Sequence, residues 1–391
     1  MIDDKYVFNE TITNNLEREA LLTEYETTNR KGKPFAGVNL ANQDYLALSS
    51  HPEIKAAARK AIAEYGAHSA GTLAFKGTLA LEASLSEFLQ MSDCMVFPTE
   101  WAASCGLMRC LVSKKDHIVI DQFSHTSLVE GARRATKNIH VFPHLSLTGL
   151  ERKLNRIRST SNTAGILLVT ESLFSMDSKS PDIRSHQELA QKYNATLIID
   201  STHDIGCIGK TGRGCIENQE MLGKVDVLMG SFSKTFASNG GFVATNHPAL
   251  KLALRYDCCP QTFSPIQASI LLKSIEIICS AEGQKLRKKM LKNTKYLRKL
   301  ISKEGFNLLG YPSAIIPVLL GDIKQSKLIT KHTLENGGLV DLVEYPAVSK
   351  NSSQFKLQVT ASHTKEQLEK FTRILVYARS QIDASHKLAF N

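Results

Sequence analysis

Lys234 stands in Gly230-Ser231-Phe232-Ser233-Lys234-Thr235-Phe236-Ala237-Ser238-Asn239-Gly240-Gly241, directly behind the largely apolar run Val225 to Met229. That run reads as a buried strand with the Lys just past its end. A Lys desolvated there has a lowered pKa and can attack a carbonyl to form a Schiff base. Ser231, Ser233 and the backbone opened by Gly240 and Gly241 could hold a phosphate close by. The plainer reading is a solvated Lys in a Gly/Ser loop. A second reactive group ends the apolar strand Thr196 to Asp200, just before Ser201-Thr202-His203-Asp204-Ile205-Gly206. An acid at such a strand end is costly to bury unless it meets a cation. A pyridinium nitrogen would serve, because an opposite charge a few Å away shifts a pKa by ~1–3 units. The plainer role for Asp200 is to cap the loop that follows.

Together the two stretches point to pyridoxal 5'-phosphate (PLP), with Asp200 for its ring nitrogen and Lys234 for its aldehyde. With these motifs the chain resembles the α-oxoamine synthase family of fold type I PLP enzymes, from about Asn39 to His363. TEWAASCG and GSFSKTFASNGGF resemble members tied to polyketide or secondary-metabolite assembly, while QDYLALSSHP and FSHTSLVEGAR resemble amino-ketone autoinducer synthases. The resemblance implies decarboxylative condensation of an amino acid with an acyl thioester to an α-amino ketone, with Lys234, Asp200, His125 and His203 as the catalytic set. It places the PLP phosphate on Ser231, Ser233 and the helix N-terminus at Thr99-Glu100-Trp101, where the family usually shows Ser-Gly-aromatic. Glu100 would repel the phosphate and is expected to point away. His125 is implied to stack on the pyridine ring, although a turn histidine capping the next helix would look the same in sequence. His203 is implied to bond the ring oxygen, and Glu171 and Ser175 to lie on the substrate side of the cofactor; a strand-end salt bridge is the plainer reading of Glu171. Thr262 would reach the partner subunit's phosphate site. Substrate contacts are expected from Gln43, where the family commonly has Asn, and from Lys356, where it has an Arg gripping the amino-acid carboxylate. A Lys keeps the charge and loses the bidentate fork. Glu82 stands where members often have His, and Thr202 replaces a small Ala beneath the ring.

The elements that must position these residues alternate as strand and helix, with polar residues at the same strand ends. That pattern demands an α/β fold with a doubly wound, mostly parallel sheet. The resemblance makes it a fold type I PLP-dependent transferase: a large domain on a seven-stranded type of sheet and a smaller C-terminal α/β domain. The expected division is an N-terminal arm over 1–50, a PLP-binding domain over 51–265, and a linking helix with the small domain over 266–391. Pro52 opens a helix whose buried stripe is Ile54, Ala57, Ala58, Ala61 and Ile62. A single long helix is expected over about 266–302.

A chain of 391 residues can bury both cores. No apolar run approaches the ~18 residues of a membrane span, and the polar opening MIDDKYVFNE resembles no targeting peptide, so the cytoplasm is expected. Eight cysteines without a CxxC pair suggest reduced core thiols and no metal site. The net charge of +10 favours an anionic partner. Its Lys and Arg are scattered among acids, so an acyl donor on coenzyme A or on an acidic carrier protein is preferred to nucleic acid. A homodimer with shared active sites is implied by the resemblance. Two rivals remain: another fold type I activity such as an aminotransferase, and a silent subunit of a heteromeric synthase.

Overall fold

The computed structural model describes residues 37–68, 76–258 and 264–389. Its first half runs β1 (Val38–Asn39), α1 (Pro52–Tyr65), α2 (Lys76–Leu89), β2 (Asp93–Phe97), α3 (Glu100–Leu111), β3 (His117–Asp121), α4 (Thr126–Ala135), β4 (Ile139–Phe142), α5 (Leu147–Thr160), β5 (Ile166–Glu171), α6 (Ile183–Lys192) and β6 (Thr196–Asp200). There follow α7 (Cys215–Asn218), β7 (Val227–Ser231), β8 (Gly241–Thr245), α8 (Pro248–Cys258), α9 (Pro265–Cys279), α10 (Ala281–Lys303), β9 (Ile315–Gly321), α11 (Ile323–Glu335), β10 (Gly338–Leu339), β11 (Leu342–Val343), β12 (Ser353–Gln358) and α12 (Lys365–Ala389).

Residues 43–291 with 360–362 form one compact unit. Its seven-stranded sheet has the order β2-β8-β7-β6-β5-β3-β4. Strands β7, β6, β5, β3 and β4 are mutually parallel, and β8 alone runs against its neighbours. Because β8 also pairs antiparallel with β2, strand β2 shares the direction of the rest. The C-terminal ends of β2, β7, β6, β5 and β3 therefore line one edge. Strands β5 and β6 are covered on both faces and carry the unbroken apolar runs this requires. Ala103, Leu107 and Leu128 of the helices pack on Ile120, Val169 and Ile198 of the strands.

Residues 37–42, 292–359 and 363–389 belong to the second unit. It holds an antiparallel sheet β11-β12-β9 and the parallel pair β1-β10. Its core sets Val38 and Leu40 against Leu297, Ile316, Phe355 and Phe371. The divisions thus fall after 42 and inside α10, where 50 and 265 were expected. The reason is pairing: Val38 is in register with Gly338, and Leu40 accepts a hydrogen bond from Gln358.

Two further expectations are corrected. Helix α1 starts at Pro52 under a His51 cap and buries Ile54 and Ala61, but Ile62 is 51 % exposed. The long helix is two, α9 and α10, because the Ser280 side chain accepts from the amides of Glu282 and Gly283 and so starts a new helix. Among the described residues no helix is long and apolar enough to cross a membrane.

Candidate active site

Strand register sets the site. Phe97 pairs with Gly241, and Gly241 with Ser231; on the next strand Asp200 pairs with Met229, and then Glu171 with Asp200. Neighbouring strands lie ~4.8 Å apart, so these residues are a short walk along one edge. At its β2 end Thr99 caps α3 by accepting from the Ala102 amide at 3.0 Å. The amides of Glu100 and Trp101 carry no hydrogen bond among the described residues, which leaves two donors at a helix N-terminus for an anion. Gly241 brings β8 onto that same turn, since a Cβ there would sit 2.6 Å from Glu100 Cα. On the far side of Gly241, Ser231 Oγ lies 2.7 Å from Ser233 Oγ and accepts from the Ser233 amide. Lys234 is half-buried in this loop.

Asp200 is 3 % exposed. Its Oδ1 accepts from the Thr202 amide at 2.9 Å and the Thr202 hydroxyl at 2.6 Å, whereas Oδ2 has no hydrogen bond among the described residues. Burial, then the nearby Glu100 charge, pushes its carboxyl up to about 7. Burial and the Asp200 charge likewise hold Glu171 well above the usual carboxylate range. Glu171 forms no ion pair among the described residues; its Oε1 instead accepts from the His125 amide at 2.6 Å. This edge therefore collects buried acids that a cation would relieve, beside unpaired donors that an anion would satisfy. PLP, with a protonated pyridine at one end and a phosphate at the other, matches that charge pattern.

The amino-acid sequence matches the family model for aminotransferase class I and II over residues 36–375. The chain belongs to that family. It is 30% identical over 354 residues to 8-amino-7-oxononanoate synthase of Alkaliphilus metalliredigens, covering 88% of each chain. To the 2-amino-3-ketobutyrate coenzyme A ligase of Escherichia coli it is 30% identical over 348 residues, covering 86% of this chain and 87% of the relative. Among solved structures it is similar to the serine palmitoyltransferase of Sphingomonas wittichii, with a TM-score of 0.84, 27% identity and coverage of 94% and 98% of the two chains. The S. paucimobilis serine palmitoyltransferase, solved with PLP and myriocin bound, gives a TM-score of 0.84 at 25% identity over 89% and 88%. These relatives are α-oxoamine synthases, and within the family this chain is one too: a PLP-dependent acyltransferase of fold type I.

In this α-oxoamine synthase His125 makes the cap that its plainer reading foresees. It stands before α4, with Nδ1 3.3 Å from the Ser127 amide and 2.8 Å from Ser127 Oγ. Glu100 turns down its own helix, where Oε1 accepts from Ser104 Oγ at 3.0 Å and from Ser127 Oγ at 2.6 Å. A bridge Glu100–Ser127–His125 results. His203 is buried with Nδ1 3.1 Å from the Tyr45 hydroxyl. Ser175 is buried at the end of the β5 loop, and Trp101 is 43 % exposed. Gln43 is half-buried in the larger unit, Lys356 is half-buried on β12 in the smaller one, and Thr262 lies outside the described residues.

Sequence reasoning passed over Tyr45, Ser127, Ser172 and Asp204. Ser172 Oγ donates to Asp204 Oδ1 at 2.6 Å, and Asp204 Oδ2 takes the Cys215 amide, so the loop behind Asp200 is pinned from two sides. Burial pushes the Asp204 carboxyl up to about 6. A local signal existed only for Ser127, two residues after His125. Glu82, which departs from the family pattern, is buried and paired with Arg255 at 2.8 Å and Lys251 at 3.0 Å, a structural ion cluster.

Proposed function

We propose that this chain condenses an amino acid with an acyl thioester, releasing carbon dioxide and giving an α-amino ketone. The observation that carries the reading is buried Asp200, one oxygen held by Thr202 and the other unengaged, one strand away from the loop bearing Lys234. Bound PLP would supply an electron sink for the pair left at the amino acid's α-carbon. Asp200 would keep a proton on the pyridine nitrogen, since a buried carboxylate gains most from a cation. Lys234 would tether the cofactor and carry the proton at the α-carbon. The free amides of Glu100 and Trp101, with Ser231 and Ser233, would take the phosphate; each charged bond contributes about 1.5–3 kcal/mol. His125 would cover the ring, and Tyr45 would orient His203 towards the ring oxygen. Glu171 and Ser175 would border the substrate, with Gln43 and Lys356 contributing to its recognition and Thr262 to the second subunit's phosphate site. The donor is coenzyme A or a carrier protein, the enzyme a homodimer with shared sites, and its compartment the cytoplasm.

The test supplies PLP-loaded protein with amino acids one at a time, with and without an acyl thioester, and measures carbon dioxide. Release that needs the thioester and vanishes in Lys234→Ala supports the proposal. Asp200→Asn is expected to lower turnover about 10²–10³-fold. Formation of a 2-oxo acid and pyridoxamine phosphate would instead mark an aminotransferase.

A further inference from the structure

We propose that α10 carries a docking surface for an acidic acyl carrier protein that delivers the acyl group; the inference rests on the condensation proposed above. Lys285, Lys288, Lys292, Lys295, Lys299 and Lys303 are all exposed on this helix. At 3.6 residues per turn their spacing confines them to about 80° of arc, in a stripe roughly 27 Å long. Met290, Leu297 and Ile301 on the opposite face are fully buried, so the stripe is held outward. None of these lysines forms an ion pair among the described residues, and α10 has no acid after Glu282.

A merely solvated helix face usually intersperses acids four residues from its lysines. Here like charges repel along the stripe, a cost that salt screens and that an anionic partner would relieve directly. Among acids of other elements, Glu369 on α12 is engaged by the Tyr296 hydroxyl with Glu366 near it, and Glu217 acts on Arg287, away from the stripe. Coenzyme A gathers its phosphates at one end and would meet only part of so long a stripe. Nucleic acid fits poorly, because phosphate recognition favours the arginine fork, which the stripe lacks, and the aromatic beside it, Tyr296, is half-buried and engaged by Glu369. A bilayer would need an apolar rim, yet the apolar side of α10 is inside the protein. A small acidic protein spreads carboxylates over a comparable length. Lysines, as mobile point charges, suit its fast and reversible capture.

The test compares PLP-loaded wild type with the triple variant Lys288→Glu, Lys292→Glu and Lys295→Glu. One acyl group is delivered either on holo acyl carrier protein of type II fatty-acid synthesis or on coenzyme A. The variant is expected to raise KM for the carrier-bound donor about tenfold, and to remove the salt dependence of that KM. KM for the coenzyme A donor should stay within about twofold. Equal carrier KM in both proteins overturns the proposal, as does a parallel loss on both donors with unchanged Tm. Loss of binding to phosphatidylglycerol vesicles or to duplex DNA with carrier KM retained also overturns it, assigning the stripe to another partner. Should neither donor release carbon dioxide with wild type, the condensation reading fails. Fluorescence anisotropy of labelled carrier, which needs no turnover, then decides the docking: binding about tenfold weaker in the variant supports it, and equal binding overturns it.

Discussion

Glu100 changes the character of its neighbourhood more than any other single side chain. It occupies the first turn of the helix whose amides are left for an anion, yet its carboxylate is engaged by Ser104 and Ser127. Through Ser127 it fixes the edge of His125, and its charge helps to lift the Asp200 carboxyl. A site with this acid holds its histidine by a bridge, and the bridge can be cut. Ser127→Ala should lower kcat about tenfold, because a hydrogen bond to a charged group contributes about 1.5–3 kcal/mol. Glu100→Gln keeps an acceptor for both serines and should retain most of the turnover. Steady-state kinetics decide the matter, and full activity in Ser127→Ala would show that His125 stands without the bridge.

Loops at the β3 and β5 ends are tied by a second histidine. His144 lies 2.8 Å from Asp121, which closes β3, and 3.1 Å from Asp177, in the loop beyond β5. Phe123 stacks on it at 4.3 Å, with 24° between the rings, and Phe174 meets it edge-on. Against burial, which lowers it, the hydrogen bonds to Asp121 and Asp177 raise the imidazole to about 9. Because this lies above the unfolded value near 6.5, the ion cluster stabilises the fold fully below that pH. The contribution fades as pH climbs through about 9. His144→Gln should therefore lower Tm by about 2–4 °C at pH 6 and by little at pH 9.5. Thermal melts across that range check the sign; a loss that grew with pH would refute the charged triad. The strands themselves were legible from apolar runs and the polar residues that end them. Their order was not, since β8 reverses direction between β2 and β7 and no local pattern announces it.

The molecule as a whole leaves large apolar side chains outside on several helices of the larger unit: Ile62 at 51 %, Trp101 at 43 % and Leu252 at 58 % exposure. Such residues mark an association surface only where they gather in a patch, and the proposed homodimer predicts that Ile62 and Leu252 lie in one. Ile62→Glu combined with Leu252→Glu should shift the protein to a monomer in sedimentation velocity and weaken PLP retention if the sites are shared. An unchanged sedimentation coefficient would place the interface elsewhere. Sequence by itself determined that Asp200 ends one strand, that Lys234 lies just past another and that α3 begins at Thr99-Glu100-Trp101, because strand length and helix starts are written in neighbouring residues. Tertiary structure alone decided that Tyr45 meets His203 across 158 residues and that Arg255 meets Glu82 across 173. It also decided that Glu100 reaches Ser127 and that residues 37–42 join the smaller unit. These pairings follow from strand order and register, which the chain settles only when its apolar faces are buried together.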